Sequence, residues 1–223
     1  MSLPPIILLG KSGYAIPVIL DLLRCLGHSG SIGIIPNIAD EENESLQYPF
    51  LVQGFELHEI NYTPTLDLRG SDLILASIGK ARSAIYHSFL QNFSIKTASF
   101  PSLIHPSSVV GAEVIYGKGF HLSPLSVIAP FSYLGDFNVI NRGVSIGHHC
   151  KLGDFVTVNP GANIAGLCQI ADHVTIGAGA VVLDRIKIGK ASVIGAGSVV
   201  TKDIPEGVIA FGSPARIIRQ ISH

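Results

Sequence analysis

Two patterns of hydrophobic positions divide the chain. Over residues 1 to about 100, short apolar runs alternate with stretches at helical spacing. Ile6-Ile7-Leu8-Leu9 is an unbroken apolar run ending at Gly10, as expected of a strand buried on both faces. Ser12 to Leu26 then carries Ile16, Ile19, Leu20 and Leu23 on one helical face, with Gly27 as a stop. Ser31 to Ile35 predicts a second strand, Asp72 to Ile78 a third ending at Gly79, and Ser83 to Phe93 a second amphipathic helix. Asp40 to Ser45 is acidic and reads as a surface loop. Such βαβ alternation predicts a small α/β domain, a parallel Rossmann-like sheet covered by helices. Ligands of such sheets sit beyond the carboxyl ends of the strands, here near Gly10-Lys11-Ser12-Gly13 and Gly79.

From Ile104 the period changes to six. Seventeen hexads run to Pro205 without an inserted residue. The first position is aliphatic in all but one, where it is Tyr116; the second is usually Gly, Ala, Ser or Asn. The fifth is small or apolar throughout, Asn138 excepted. A fixed period marks a repeat architecture, and six residues are too few for a helical repeat. They suit a short strand plus a turn, three of which close a triangular coil of 18 residues. The expectation is a parallel β-helix of roughly six coils stacked ~4.8 Å apart. The domain expectation is residues 1–100, 104–205, and a tail at 206–223.

Composition narrows the function classes. The 223 residues are 47% hydrophobic with a formal net charge of −1, so no basic field points to nucleic acid. No run of 18 apolar residues exists, since Lys11 and Asp21 interrupt the most apolar stretch, and membrane insertion is not expected. The N-terminus lacks a signal-peptide pattern. A mean hydropathy of +0.45 then implies a well-filled interior or a buried subunit interface. Cys25, Cys150 and Cys168 form no disulfide framework, and a reducing cytoplasm is the expected location. "GKS" at 10–12 is not a phosphate loop, because that motif needs glycine where Pro5 stands. It reads as a strand-to-helix turn or as a helix N-terminus open to an anion.

Departures from a strict repeat carry the chemistry. Cys150 and Cys168 are fifth-position residues 18 apart, expected as stacked, reduced interior side chains. His148 and His149 occupy third and fourth positions, toward a corner. Gly166 is the third-position residue one coil on, hence beside His148. A base next to a backbone N–H without a side chain supplies two parts that acyl transfer needs. A zinc site is the competing reading, with His105, His121, His148, His149 and His173 available. Adjacent histidines on a strand point apart, which disfavours His148 and His149 as ligands of one ion, and no metal is expected.

The hexads, the segment "GHHCKLGDFVTVNPGANIAG", the preceding small βαβ domain and the ending "VIAFGSPARIIR" resemble the NeuD/PglD-like sugar acetyltransferases of the hexapeptide-repeat acyltransferases. The resemblance implies a left-handed β-helix, against the general right-handed preference of crossovers. It implies acetyl-CoA as co-substrate, a nucleotide-linked amino sugar as acceptor, and a homotrimer with the pantetheine arm between adjacent solenoids. It makes His148 the general base and Gly166 the oxyanion donor, with His149 joining them at the catalytic centre. Acetyl-CoA contacts fall at Thr157, Gly166, Ala178 and Ala196, and at Gly212, Pro214 and Arg216 of the closing turn. Nucleotide-sugar contacts fall at Gly10, Lys11, Ser12, Gly13, Tyr14 and Asn37.

Departures from the family pattern fall around the acceptor. His149 stands where an acidic residue often orients the base, Thr157 where a second histidine often sits, and Tyr14 where the glycine loop has histidine. The second strand ends Ile35-Pro36-Asn37 rather than in acidic residues. The expected activity is N-acetylation of a nucleotide-activated sugar. The alternatives are O-acetylation of a surface-polysaccharide sugar and a non-catalytic scaffold binding CoA or sugar.

Overall fold

The computed structural model describes residues 5–36, 54–61, 66, 68, 70–77, 79, 81–92 and 99–221. The chain divides into two compact units, Met1–Pro101 and Ser102–His223.

The first unit is a four-stranded parallel sheet in the order β3-β2-β1-β4, with β1 Ile6–Leu9, β2 Gly30–Ile35, β3 Phe55–Glu59 and β4 Asp72–Leu75. β1, buried at every residue, lies between β2 and β4. Helix α1, Ala15–Cys25, buries Ile16, Ile19, Leu20, Leu22 and Leu23. Pro17 falls in its first turn, where the missing N–H breaks no helical bond. Helix α2 spans Ala81–Asn92 and packs on β1 and β4. Its buried stripe begins with Arg82, followed by Ile85 and Phe89, so the expected simple amphipathic pattern is broken by a charge. Burial pulls the Arg82 guanidinium down to about 10. β3 was not visible as an apolar run: in FELHE only Phe55 is buried, as befits an edge strand.

The second unit is a triangular parallel β-helix. Its two-residue rungs pair at a constant offset of 18, for example Tyr133↔Lys151, Thr157↔Thr175 and Asn163↔Val181. The first face begins at Leu103–Ile104, the second at Val109–Val110 and the third at Ile115–Tyr116. First-position residues from Ile128 to Val200 fill the prism at 2% exposure or less. Tyr116 is instead exposed, its ring stacked on Phe120 at 5.0 Å.

Polar fifth-position residues in the prism are satisfied by the coil chemistry. Ser132 Oγ donates to the Gly147 carbonyl at 3.0 Å and accepts the Cys150 N–H at 3.1 Å. Asn138 donates to the Gly135 and Gly153 carbonyls and accepts the Val156 N–H.

Every fourth position from Glu113 to Gly197 has positive φ, whether the residue is Gly, Phe, Leu, Arg or His. The corner imposes that conformation, and the residue type does not choose it. Uniform hexads to Pro205 overstate the repeat. Val181↔Val199 keeps the offset of 18, but Ile188 meets Ile204 at 16, so the last turn is two residues short. A hairpin of Val208–Gly212 and Ala215–Gln220 extends the first face.

Candidate active site

The edge between the second and third faces carries the paired histidines. Ile146 closes a rung and fills the prism, Gly147 turns the corner, and His148 and His149 lie exposed on it. Glycine is required at 147: a Cβ there would stand 2.5 Å from the Gly166 amide nitrogen of the next coil. The same tight stacking sets the imidazole against Gly166. A Cβ built on Gly166 would lie 2.9 Å from His148 Nε2. The Gly166 carbonyl accepts from Arg185 N–H, while its own N–H has no acceptor among the described residues. An accessible imidazole nitrogen therefore sits beside an uncommitted amide donor.

The expectation that His148 and His149 point apart is wrong. His149 adopts φ +56 at the corner, and its Nδ1 comes 3.0 Å from Nδ1 of His148, with the rings at 88°. Strand alternation does not apply where the chain turns into the left-handed region. A hydrogen bond at that distance needs a proton on one Nδ1 and none on the other. Phe131, the fourth-position residue one coil earlier, lies over His149 with centroids 5.1 Å apart and an interplanar angle of 30°.

The other sequence-selected residues fall elsewhere on the prism. Ala178 and Ala196 are exposed third-position residues one coil apart on the edge between the first and second faces. Thr157 is a nearly buried rung residue of the first face, adjacent to that edge. Gly212, Pro214 and Arg216 are exposed in the C-terminal hairpin, across a cis Ser213–Pro214 bond. A single solenoid thus brings His148, His149 and Gly166 together on one edge and keeps Ala178 and Ala196 on another.

Cys150 and Cys168 are free thiols sealed in the prism, donating to the Ala165 and Leu183 carbonyls. The neighbouring Cys168 thiol, reinforced by burial, pushes the Cys150 thiol up. His105, His121 and His173 lie away from His148 on other edges and rungs. No three His, Cys, Asp or Glu side chains among the described residues converge on a metal position.

In the first unit, the Gly10–Tyr14 loop is sewn to the strand ends. Gly10 N–H donates to Ile35 O at 2.9 Å and Ser12 N–H to Ala76 O at 3.2 Å. Gly10 has φ +104, and a Cβ there would meet Ala76 O at 3.0 Å. Ser12 Oγ accepts the Ala15 N–H at the start of α1, Lys11 pairs with Glu59 at 2.8 Å, and Tyr14 is 82% exposed. Asn37 lies outside the described residues, as does the acidic stretch 40–45. Lys11, placed by the resemblance among the nucleotide-sugar contacts, is here paired with Glu59. Its partner comes from β3, the strand that was missed.

The family model described as bacterial transferase hexapeptide (six repeats) matches residues 167–202. No curated protein matches the sequence. The acetyltransferase domain of PglB from Neisseria gonorrhoeae FA1090 is similar over 96% of this chain and 100% of its own, at 27% identity and a TM-score of 0.79. The same domain has also been solved in complex with acetyl coenzyme A, at 26% identity and a TM-score of 0.78. PerB from Caulobacter crescentus, solved in complex with CoA and GDP-perosamine, is similar over 98% of this chain and 99% of its own, at 26% identity and a TM-score of 0.80.

Proposed function

We propose that this chain, which belongs to the hexapeptide-repeat sugar acetyltransferases of left-handed β-helix fold, transfers an acetyl group from acetyl-CoA to an amino group of a nucleotide-activated sugar. The sugar amine attacks the thioester carbon. Its proton passes to Nε2 of His148, the carbonyl oxygen gains charge beside the Gly166 N–H, and the C–S bond breaks to release CoA thiolate. The proton held on His148 then returns to the thiolate. An amine nucleophile must be neutral to attack, and an imidazole is the side chain suited to take its proton near neutrality. An amide donor at the developing oxyanion is the other component of the barrier reduction.

One observation carries this reading. The imidazole nitrogen and the uncommitted Gly166 amide are neighbours, one coil apart on an exposed edge. Whole-chain likeness to proteins solved with acetyl-CoA, CoA and GDP-perosamine supports the choice of co-substrate and of a nucleotide-linked acceptor. The strand-end loop Gly10–Tyr14, tied to the strand ends by the Gly10 and Ser12 N–H groups, is the place proposed for the nucleotide.

The assembly that completes the site is a trimer. Outward rung residues of the second face are Val109, Val127, Ser145, Asn163, Val181 and Val199, none of them charged. Val109 and Val127 are 56% and 41% exposed. The third face instead presents Tyr133, Lys151, Gln169 and Lys187. Threefold packing of the second face buries the valines and sets the His148 edge of one protomer against the Ala178–Ala196 edge of the next. Acetyl-CoA would then lie between two copies, with the Gly212–Arg216 turn near its far end.

The test is thiol release from acetyl-CoA with a panel of nucleotide-linked amino sugars. We expect turnover with at least one member, and a fall in kcat of about 100-fold or more in His148→Ala, in the range of general-base losses. Near-wild-type turnover in that variant would remove His148 from the reaction. CoA binding without turnover on any acceptor would leave a scaffold instead.

A further inference from the structure

The 3.0 Å approach of the two Nδ1 atoms has a consequence that an acidic neighbour would not have. Two neutral imidazoles share one proton in that contact, and only one arrangement leaves His148 basic at Nε2. His148 must carry its proton on Nδ1 and donate it to Nδ1 of His149. His149 must then carry its own proton on Nε2. That nitrogen is on the far side of an exposed ring, held by Phe131. We infer that His149 is a positioning residue with two outputs: it fixes the reactive tautomer of His148, and it presents an N–H donor to an oxygen of the acceptor sugar. The inference rests on the reading of His148 as the base.

The donor is what separates this site from one with a carboxylate after the base. A carboxylate accepts hydrogen bonds only, so it repels a sugar oxygen that carries no proton to donate. His149 Nε2–H attracts one. The ligand class that fits is an acceptor with a proton-free oxygen, such as a carbonyl, ether or phosphate oxygen, close to the reacting nitrogen. The geometry also limits how His149 is replaced. At φ +56 its backbone matches Phe131, Phe137 and Phe155, with φ of +62, +55 and +55 at the equivalent fourth positions. Phenylalanine at 149 is therefore compatible with the coil and preserves the stacked column, while it removes both nitrogen functions. Asparagine tolerates the left-handed region and offers both an acceptor and a donor, and aspartate offers the acceptor alone.

The experiment has two arms on the full-length protein. In the first, ¹⁵N-histidine-labelled protein without ligand is held well above the ordinary imidazole range, and long-range ¹H–¹⁵N correlations assign each ring's tautomer. The expected result is Nδ1–H for His148 and Nε2–H for His149. His149→Asp keeps Nδ1–H on His148, and His149→Phe loses the fixed tautomer. In the second arm, kinetics use the panel member that the wild type acetylates. His149→Phe lowers kcat about ten-fold, less than the roughly 100-fold or greater loss expected when the general base itself is removed, while acetyl-CoA KM is unchanged. His149→Asp recovers kcat but keeps a raised acceptor KM, and His149→Asn recovers both. Nε2–H on His148 in the wild type, or a tautomer indifferent to His149→Phe, overturns the inference. Equal acceptor KM in His149→Asp and wild type overturns the donor role. Failure of the base reading itself shows separately, as undiminished turnover in His148→Ala.

Discussion

At the scale of single residues, Gly166 is the most informative position. It has an ordinary φ, so alanine there is not strained, but its Cβ would stand 2.9 Å from His148 Nε2. The ring is a movable side chain on an exposed edge, so the fold yields there at little cost while the base is displaced. Gly166→Ala is expected to lower kcat about 100-fold, as misplacements near 1 Å do, with an unchanged melting temperature. Retained activity in thermal-shift-normal protein would show that the two groups need not be neighbours. The buried thiols make an independent prediction: native alkylation labels exposed Cys25 and spares Cys150 and Cys168. Labelling of all three in folded protein would contradict the sealed prism. Sequence spacing alone was enough to set His148 beside Gly166. The His148–His149 bond was illegible there, because its geometry depends on a positive φ that no property of histidine announces.

At the scale of the element, the solenoid is a device for repeating one strained corner. The left-handed fourth position holds Phe, Leu, Arg and His as well as Gly, so the sequence pattern at that position looked uninformative while the backbone was the most regular feature of the fold. Gly161 isolates the cost. Its φ is +69 and a Cβ would meet nothing within 4 Å. Gly161→Ala should therefore lose roughly 1 kcal/mol from backbone strain alone, measured as a lower midpoint in chemical denaturation. A gain in stability would mean that the corner does not impose that conformation. The first unit was less legible for a different reason. Apolar runs reveal strands buried on both faces, such as β1, whereas edge strand β3 reads as a charged segment. Its Glu59 nevertheless determines where Lys11 points.

At the scale of the whole molecule, the proposed site needs more than one chain. One prism separates the histidine edge from the Ala178–Ala196 edge by the width of the second face, whose outward rung residues carry no charge. Val127→Glu places a carboxylate on it, 41% exposed in the isolated chain, and burying an unpaired charge is strongly unfavourable. Light scattering should give a trimer for the wild type and a smaller species for Val127→Glu, with turnover lost in parallel. A monomeric, fully active wild type would mean that the site is complete within one chain. In the sequence, mean hydropathy implied only a well-filled interior or a buried interface, and the expectation of a trimer came from the family resemblance. Charge disfavours only the third face, where Lys151 and Lys187 point outward; the second is proposed because it lies between the histidine and alanine edges, a placement that exists only once the 18-residue register is known.

The central claim is that one active site takes its base from one protomer and its Ala178–Ala196 edge from another, and subunit mixing tests it most directly. Chains carrying His148→Ala and chains carrying Ala178→Arg, each inactive alone, are co-expressed and purified as mixed trimers. Thiol release is expected to return, because some interfaces then pair an intact histidine edge with an intact alanine edge. Mixed trimers as inactive as either parent would contradict it.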